Sequence, residues 1–455
     1  MPSAAPFALT RALAQFAAGV HEFPAAAVRV ATHGLTDAAS LMVCARSEPV
    51  VQALQSLHGR EVAQGASLLL GPLRVDPVDA AMVNAAAVHA FALDDVAWGC
   101  HPSATLFPAL LAVGELLDVS GQRLINAWIV GYEVYAELAS RESGSLHTTG
   151  WHPTGMLGPV AVAAAVAHLS GLGEDTALAA LSIAASMTGG VSANFGTPVK
   201  AVHAGQVAAA GVRACLLAQR GLAGNADVLE RPRGLLATIS PSGETDLHSP
   251  LGTNASAPRL IDAGLSLKRY PLCYSLHRVA DAAIGLATTP GFDINAIESV
   301  DVEIGQRQWQ MTPYGQPADG LQARYSVPFA AVSGLVAGAA GFAQLEPAFF
   351  GSPVVRRTIE RVRISARDGA SADDPVFAPA DQVRVRLADG QVFDSGEVTH
   401  PRGHARNPLD EAQRHAKFMD CLAGSEVRHP AECLAVMERL ADLASVREIA
   451  RSFSG

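Results

Sequence analysis

Alanine-rich runs with helical spacing of their apolar residues fill both ends of this chain. Between about residues 266 and 400 the pattern breaks into shorter segments, some alternating as β-strands do. That division predicts a mainly α protein with an α+β second domain. The large all-helical domain is built from both chain ends, 1–265 with 401–455, and a smaller inserted α+β lid domain spans 266–400. Hydrophobic residues make up 49% of the sequence and aromatics only 5%, so the helices must pack closely through small side chains. A chain of this length can bury a large core.

Helices are expected over residues 10–19, 24–45, 50–57, 79–91, 104–117, 124–140, 156–169 and 176–187, with a further one from the 194–205 stretch to about 220. The 68–75 stretch reads as a turn or strand. In the middle, Val300, Val302 and Ile304 alternate with Asp301 and Glu303, the pattern of a half-buried strand over 297–304. Helices are expected at 275–287, 326–339 and 354–360, the last running into a strand at 361–365. Segments 382–387 and 391–398 flank Ala388-Asp389-Gly390, a hairpin signal. From 407 to 453 the chain reads as helical again.

The net charge of −10 argues against a nucleic-acid partner. Six cysteines (44, 100, 215, 273, 421, 433) are scattered without a Cys-x-x-Cys pair. They read as reduced thiols of a cytoplasmic protein, not as disulfides or a zinc site. The first 20 residues lack the pattern of a signal peptide. Alanine-rich segments such as 158–169 are too short to span a bilayer, so no membrane partner is expected. There is no His-Glu-x-x-His, Walker loop, Gly-x-Ser-x-Gly or dinucleotide fingerprint. No metal and no cofactor are expected.

Only three lysines occur: 200, 268 and 417. Lysine supplies a compact donor whose pKa moves when it is buried, which arginine cannot do. Four times a His or Lys stands near a proline where a helix is expected to begin: His101-Pro102, His152-Pro153, Pro198-Val-Lys200 and Lys268-Arg-Tyr-Pro271. Proline suits the first helical position, and a helix N-terminus attracts anions. Four converging mouths predict a pocket for a small di- or tricarboxylate. Asp94 and Asp95 offer a base or an orienting carboxylate. His203 shares a helix face with Lys200. Cys273 and His277 stand one helical turn apart, with Asp281 a turn beyond. His147 lies in a polar connector.

These residues recur in an order that resembles the MmgE/PrpD family. The matching runs are Asp94-Asp95…His101-Pro102-Ser103, Gly150-Trp151-His152-Pro153-Thr154 and Asn194-Phe195-Gly196-Thr197…Lys200…His203. They continue with Lys268-x-Tyr270-Pro271-x-Cys273…His277 and Pro401-Arg402-Gly403…Asn407-Pro408. Members include 2-methylcitrate dehydratase, cis-aconitate decarboxylase and iminodisuccinate epimerase. The resemblance implies a helical domain from both termini, a lid domain, a homodimer, and metal-independent chemistry on small polycarboxylates. It also implies catalytic roles for His152, Lys200, Lys268, His101, Cys273 and His277. Asp94, Asp95, Ser103, Thr154, His203, Tyr270 and His147 would line or support the substrate.

The chain departs from the decarboxylase pattern. There the acidic segment reads Asp-Phe-Asp-Asp-Thr, against Ala92-Leu93-Asp94-Asp95-Val96 here, and a His stands where this chain has Cys273. The expectation is proton removal α to a carboxylate, leading to dehydration of the 2-methylcitrate type. Epimerisation is the alternative, and a carboxylate-binding paralogue without catalysis is a further one.

Overall fold

Two separate hydrophobic cores organise the computed structural model, which describes residues 5–142, 146–240, 245–371 and 377–454. The larger core runs from Leu9 to Leu267 and resumes from Leu409 to Phe453. The smaller one takes its buried residues from Tyr270 to Phe393. At the centre of the larger core the Pro153–Ser170 helix packs against Gly121–Arg141 on one side and Val199–Gln219 on the other. Small residues set the spacing. A Cβ on Gly158 would lie 2.4 Å from the Tyr135 hydroxyl and 2.5 Å from Val207, so only glycine lets the three helices approach this closely. Helices Pro153–Ser170 and Val199–Gln219 are long and apolar enough to cross a membrane, but 89% and 72% of their apolar windows are buried among other helices. The first of them is longer than the 158–169 segment read from the sequence.

The smaller domain holds a four-stranded sheet in the order Val362–Arg367, Ile297–Gly305, Gln382–Leu387, Val392–Asp394. The first pair is parallel and the others are antiparallel. Val300 stands opposite Val362 on one neighbour and Val385 on the other. Helices His277–Ala287 and Val327–Ala337 pack against each other beside this sheet, completing the second core.

Three features differ from the sequence reading. Glu61–Ser67 is a strand paired antiparallel with Arg74–Val75. Its burial does not alternate. A buried carboxylate anchors it instead: Glu115 accepts from Ser67 N at 2.6 Å and Ser67 Oγ at 2.7 Å, and pairs with Arg74 at 2.9 Å. The C-terminal run is three helices, Glu411–Leu422, Pro430–Glu438 and Arg447–Ser454, not one continuous stretch. Between residues 306 and 350 the chain also makes four short helices besides Val327–Ala337, each too brief to show periodicity.

The Glu411–Leu422 helix is fastened to Ala25–Cys44 by a buried ion pair. Lys417 Nζ lies 2.7 Å from Asp37 and also donates to the Leu93 carbonyl at 2.9 Å. The last fifth of the chain thus holds the segment that carries Asp94 and Asp95.

Candidate active site

A cavity of about 60 Å³ lies where the two cores meet. Helical-domain residues His101, His152 and Lys200 face it together with Cys273, Tyr274 and Tyr325 from the lid side. Lys268, on the crossover between the domains, and His147 complete the basic set. Among its described lining residues none is a carboxylate.

Local sequence explains how the basic side chains reach it. Pro102 and Pro153 occupy first-turn positions, and His101 and His152 are the N-caps before them. Neither histidine makes a side-chain cap bond, so both rings are available to the cavity. The two helix starts are stitched together where His101 N donates to Thr154 Oγ1 at 3.1 Å. Lys200 lies in the first turn of Val199–Gln219. The fourth expected mouth is absent. No helix begins at Pro271, and the first regular turn is the 3₁₀ segment Tyr274–Leu276. Lys268 instead donates to the Ala92 carbonyl at 2.8 Å. Ala92 has φ +53°, a conformation uncommon for a residue with a Cβ.

Behind the cavity runs a polar chain. Asp94 Oδ2 accepts from His89 Nδ1 at 2.9 Å. His101 Nδ1 donates to the Asp95 carbonyl at 2.9 Å and also lies 2.8 Å from Asp94 Oδ2. Lys200 Nζ donates to His89 Nε2 at 2.7 Å. Donation by both Nδ1–H groups fixes the tautomers and leaves His101 Nε2 as an acceptor. Burial works against the Asp94 charge, but His89, His101 and Lys268 outweigh it and hold the carboxyl well below its usual range. Burial keeps His89 neutral, with a pKa lowered to about 4, and lowers His101 and His152 as well. Burial and the nearby Lys268 charge lower Lys200 to about 7. Its amine therefore changes protonation near neutrality.

Asp95 behaves oppositely to its neighbour. Burial, with repulsion from Asp94, raises it to about 8 despite the hydrogen bonds from Ser103. Ser103 N donates to its Oδ1 at 3.0 Å. The native state thus retains a proton that an unfolded Asp loses near pH ~4. Its contribution is fully present at low pH and falls as pH rises from ~4 to 8. Asp95→Asn retains the acceptor for Ser103 N and has no proton to lose. Urea denaturation of the variant should show a flatter loss of stability between pH 5 and 8, and greater stability than the parent at pH 8.

Other residues singled out in the sequence take varied places. His203 backs His152, their Nδ1 atoms 3.2 Å apart. His147 lines the cavity, its pKa lowered to about 4 by burial and by Lys200. Thr154 and Ser103 act through the backbone contacts above. Tyr270 points elsewhere, donating to Asp281 at 2.5 Å. His277 does not face the cavity: it is fully buried beside Tyr270 and Tyr274. Cys273 precedes a 3₁₀ turn and His277 opens the next helix, so the two never share one helical face. His89 went unnoticed because it stands at the end of a buried alanine-rich helix, Pro77–His89. Only its place five residues before Asp94 hints at a partner.

Ring nitrogens of His89, His101 and His152 lie within 4.8 Å of one another. Both nitrogens of His89 are engaged, by Asp94 and Lys200. With the Nδ1 atoms of His101 and His152 also engaged, two Nε2 atoms remain. Protein zinc sites use at least three ligands, so this arrangement does not fit one.

The MmgE/PrpD N-terminal domain matches residues 11–248 and the MmgE/PrpD C-terminal domain residues 270–443. Cis-aconitate decarboxylase of Mus musculus is 30% identical over 398 residues, 84% of this chain and 79% of that protein. The Homo sapiens cis-aconitate decarboxylase is 30% identical over 363 residues, 76% and 73% of the two chains. That of Aspergillus terreus is 36% identical over 198 residues, 41% of this chain and 40% of its own. With both domains matched along most of its length, this chain belongs to the MmgE/PrpD family.

Proposed function

We propose that this protein is a lyase that acts on a small di- or tricarboxylate by removing a proton α to a carboxylate. The observation that carries this reading is the pairing of two buried lysines with three neutral histidines, His101, His147 and His152, around one cavity that has no carboxylate among its described lining residues. Lys268 and Lys200 supply charge for the substrate carboxylates and for the enolate-like transition state. In so dry a site such interactions are far stronger than in water. Bound anion raises the Lys200 pKa from about 7 and makes its ammonium form available as a general acid. His152 is the base: when Nδ1 donates to His203, Nε2 is left to take the proton. In dehydration, the α-proton passes to His152, the carbon–carbon double bond forms, and the β-hydroxyl leaves as water with a proton from Lys200.

Ala92, Val96 and Cys273 all line the cavity. At these three positions the chain departs from the decarboxylase pattern by replacing a more polar residue. The change supports a substrate with an apolar substituent, and hence dehydration of an alkyl-bearing polycarboxylate of the 2-methylcitrate type. Decarboxylation is the second reading, supported by the relatives that act on cis-aconitate. Either lyase reading uses the same basic residues.

Incubation in heavy water with a panel of di- and tricarboxylates tests the proposal. Dehydration predicts α-deuterium exchange, loss of a hydroxyl and new ultraviolet absorbance from an unsaturated product. Carbon dioxide release instead would select decarboxylation. Exchange without absorbance or gas would select epimerisation. Thermal stabilisation by a carboxylate with neither exchange nor turnover across the panel would sink the catalytic reading.

A further inference from the structure

A second cavity, of about 410 Å³, lies within the helical domain between Ala25–Cys44, Glu411–Leu422 and Pro430–Glu438. It is far larger than the catalytic cavity and within the size range of small-molecule sites. Val28, Leu409 and Leu434 give it apolar walls. Its polar side carries Arg29, His33 and Arg414, and the buried Lys417 lies at its base.

The charges here are unevenly matched. Among the described residues, Arg29 makes no ion pair, and Arg414 is held by the Leu409 carbonyl at 2.6 Å, not by an acid. Asp37 is committed to Lys417 at 2.7 Å, and Glu438 to His415 at 2.5 Å. Glu411 is exposed at the rim. His33 feels the imbalance: burial and the charges of Arg414 and Arg29 lower its pKa to about 4, with no carboxylate opposing them. Two guanidinium groups without a carboxylate partner and a half-buried imidazole share one cavity with apolar walls.

We propose that this cavity is a second ligand site, for a small organic anion bearing a carboxylate or phosphate group and a compact apolar part. Arg29 and Arg414 hold the anion, and His33 takes up a proton as it binds. The anion's charge opposes the two arginines, so the His33 pKa climbs back toward its ordinary value. Affinity then rises as pH falls through that window. The site shares no residue with the catalytic cavity and does not depend on the reaction proposed above.

Calorimetry on the full-length protein tests this with sulfate and benzoate, which keep their charge between pH 5.5 and 7.5. Sulfate binding the more tightly would indicate a phosphate-type ligand, and benzoate a carboxylate-type one. Either probe should bind about tenfold more tightly at pH 5.5 than at 7.5, with proton uptake seen as a dependence on buffer ionisation heat. Arg29→Ser with Arg414→Ser should weaken binding at least tenfold without changing the melting temperature or turnover. His33→Asn should bind but lose the pH dependence. Lys200→Met should leave the binding in place. No binding of either probe, binding that the double arginine variant retains, or binding lost in Lys200→Met would overturn the proposal. Loss of self-association in an Arg29→Glu, Arg414→Glu protein, with no anion binding in the parent, would assign the cavity to a subunit contact instead.

Discussion

Lys200→Arg lowers kcat/KM by about a thousandfold or more, equivalent to ~4 kcal/mol of transition-state stabilisation. Charge is conserved in this substitution, so the loss comes from shape and from the proton. Lys200 is 7% exposed and its Nζ sits 2.7 Å from His89 Nε2. A planar guanidinium cannot enter that geometry without moving His89 or filling the cavity of about 60 Å³. Arginine also stays protonated, whereas the Lys200 amine is lowered to about 7 by burial and Lys268. Steady-state kinetics on the substrate found by the panel, together with a melting curve, checks this. An active Arg variant with an unshifted pH profile would remove Lys200 from proton transfer. His89→Asn should shift the pH profile as well, because the neutral imidazole that accepts from the lysine is gone.

Lys417→Met costs ~3–5 kcal/mol of stability, because it strands a partner. Asp37 is buried, and burial already raises its pKa even with Lys417 beside it. Without the ammonium the carboxyl must become neutral or remain an unpaired buried charge. The Leu93 carbonyl also loses the donor it holds at 2.9 Å. Chemical denaturation of the helical domain is the measurement. Adding Asp37→Leu should recover much of the loss, since replacing both partners by apolar groups removes the stranded charge. A single variant within ~1 kcal/mol of the parent would show that the pair does not hold the two chain ends together.

What the sequence reveals here follows from how far apart the interacting residues stand. The strand Ile297–Gly305 is legible because alternation is local, and so are the long helices. Family motifs bring His101, His152, Lys200 and Lys268 forward, and the structure gathers these four around one cavity. The strand Glu61–Ser67 is hidden because Glu115, not a hydrophobic face, anchors it. His89 is hidden because its two partners lie 5 and 111 residues away. A residue at the end of a buried helix carries no local sign of a lysine arriving from another. His277 shows the opposite error: spacing from Cys273 suggests a shared face, but the helix starts only at His277 itself.

The Asp37–Lys417 pair joins residues 380 positions apart. Ribosomes add ~5–20 residues per second, so Asp37 waits on the order of 20–80 seconds for its partner to be made. Throughout that interval the Ala25–Cys44 helix lacks the Glu411–Leu422 helix that covers it. The lid, whose core closes within residues 270–398, can fold before the last helices emerge. The nascent N-terminal half is thus the part that needs protection during translation, and a truncation before Lys417 would leave a folded lid attached to an unfinished helical domain.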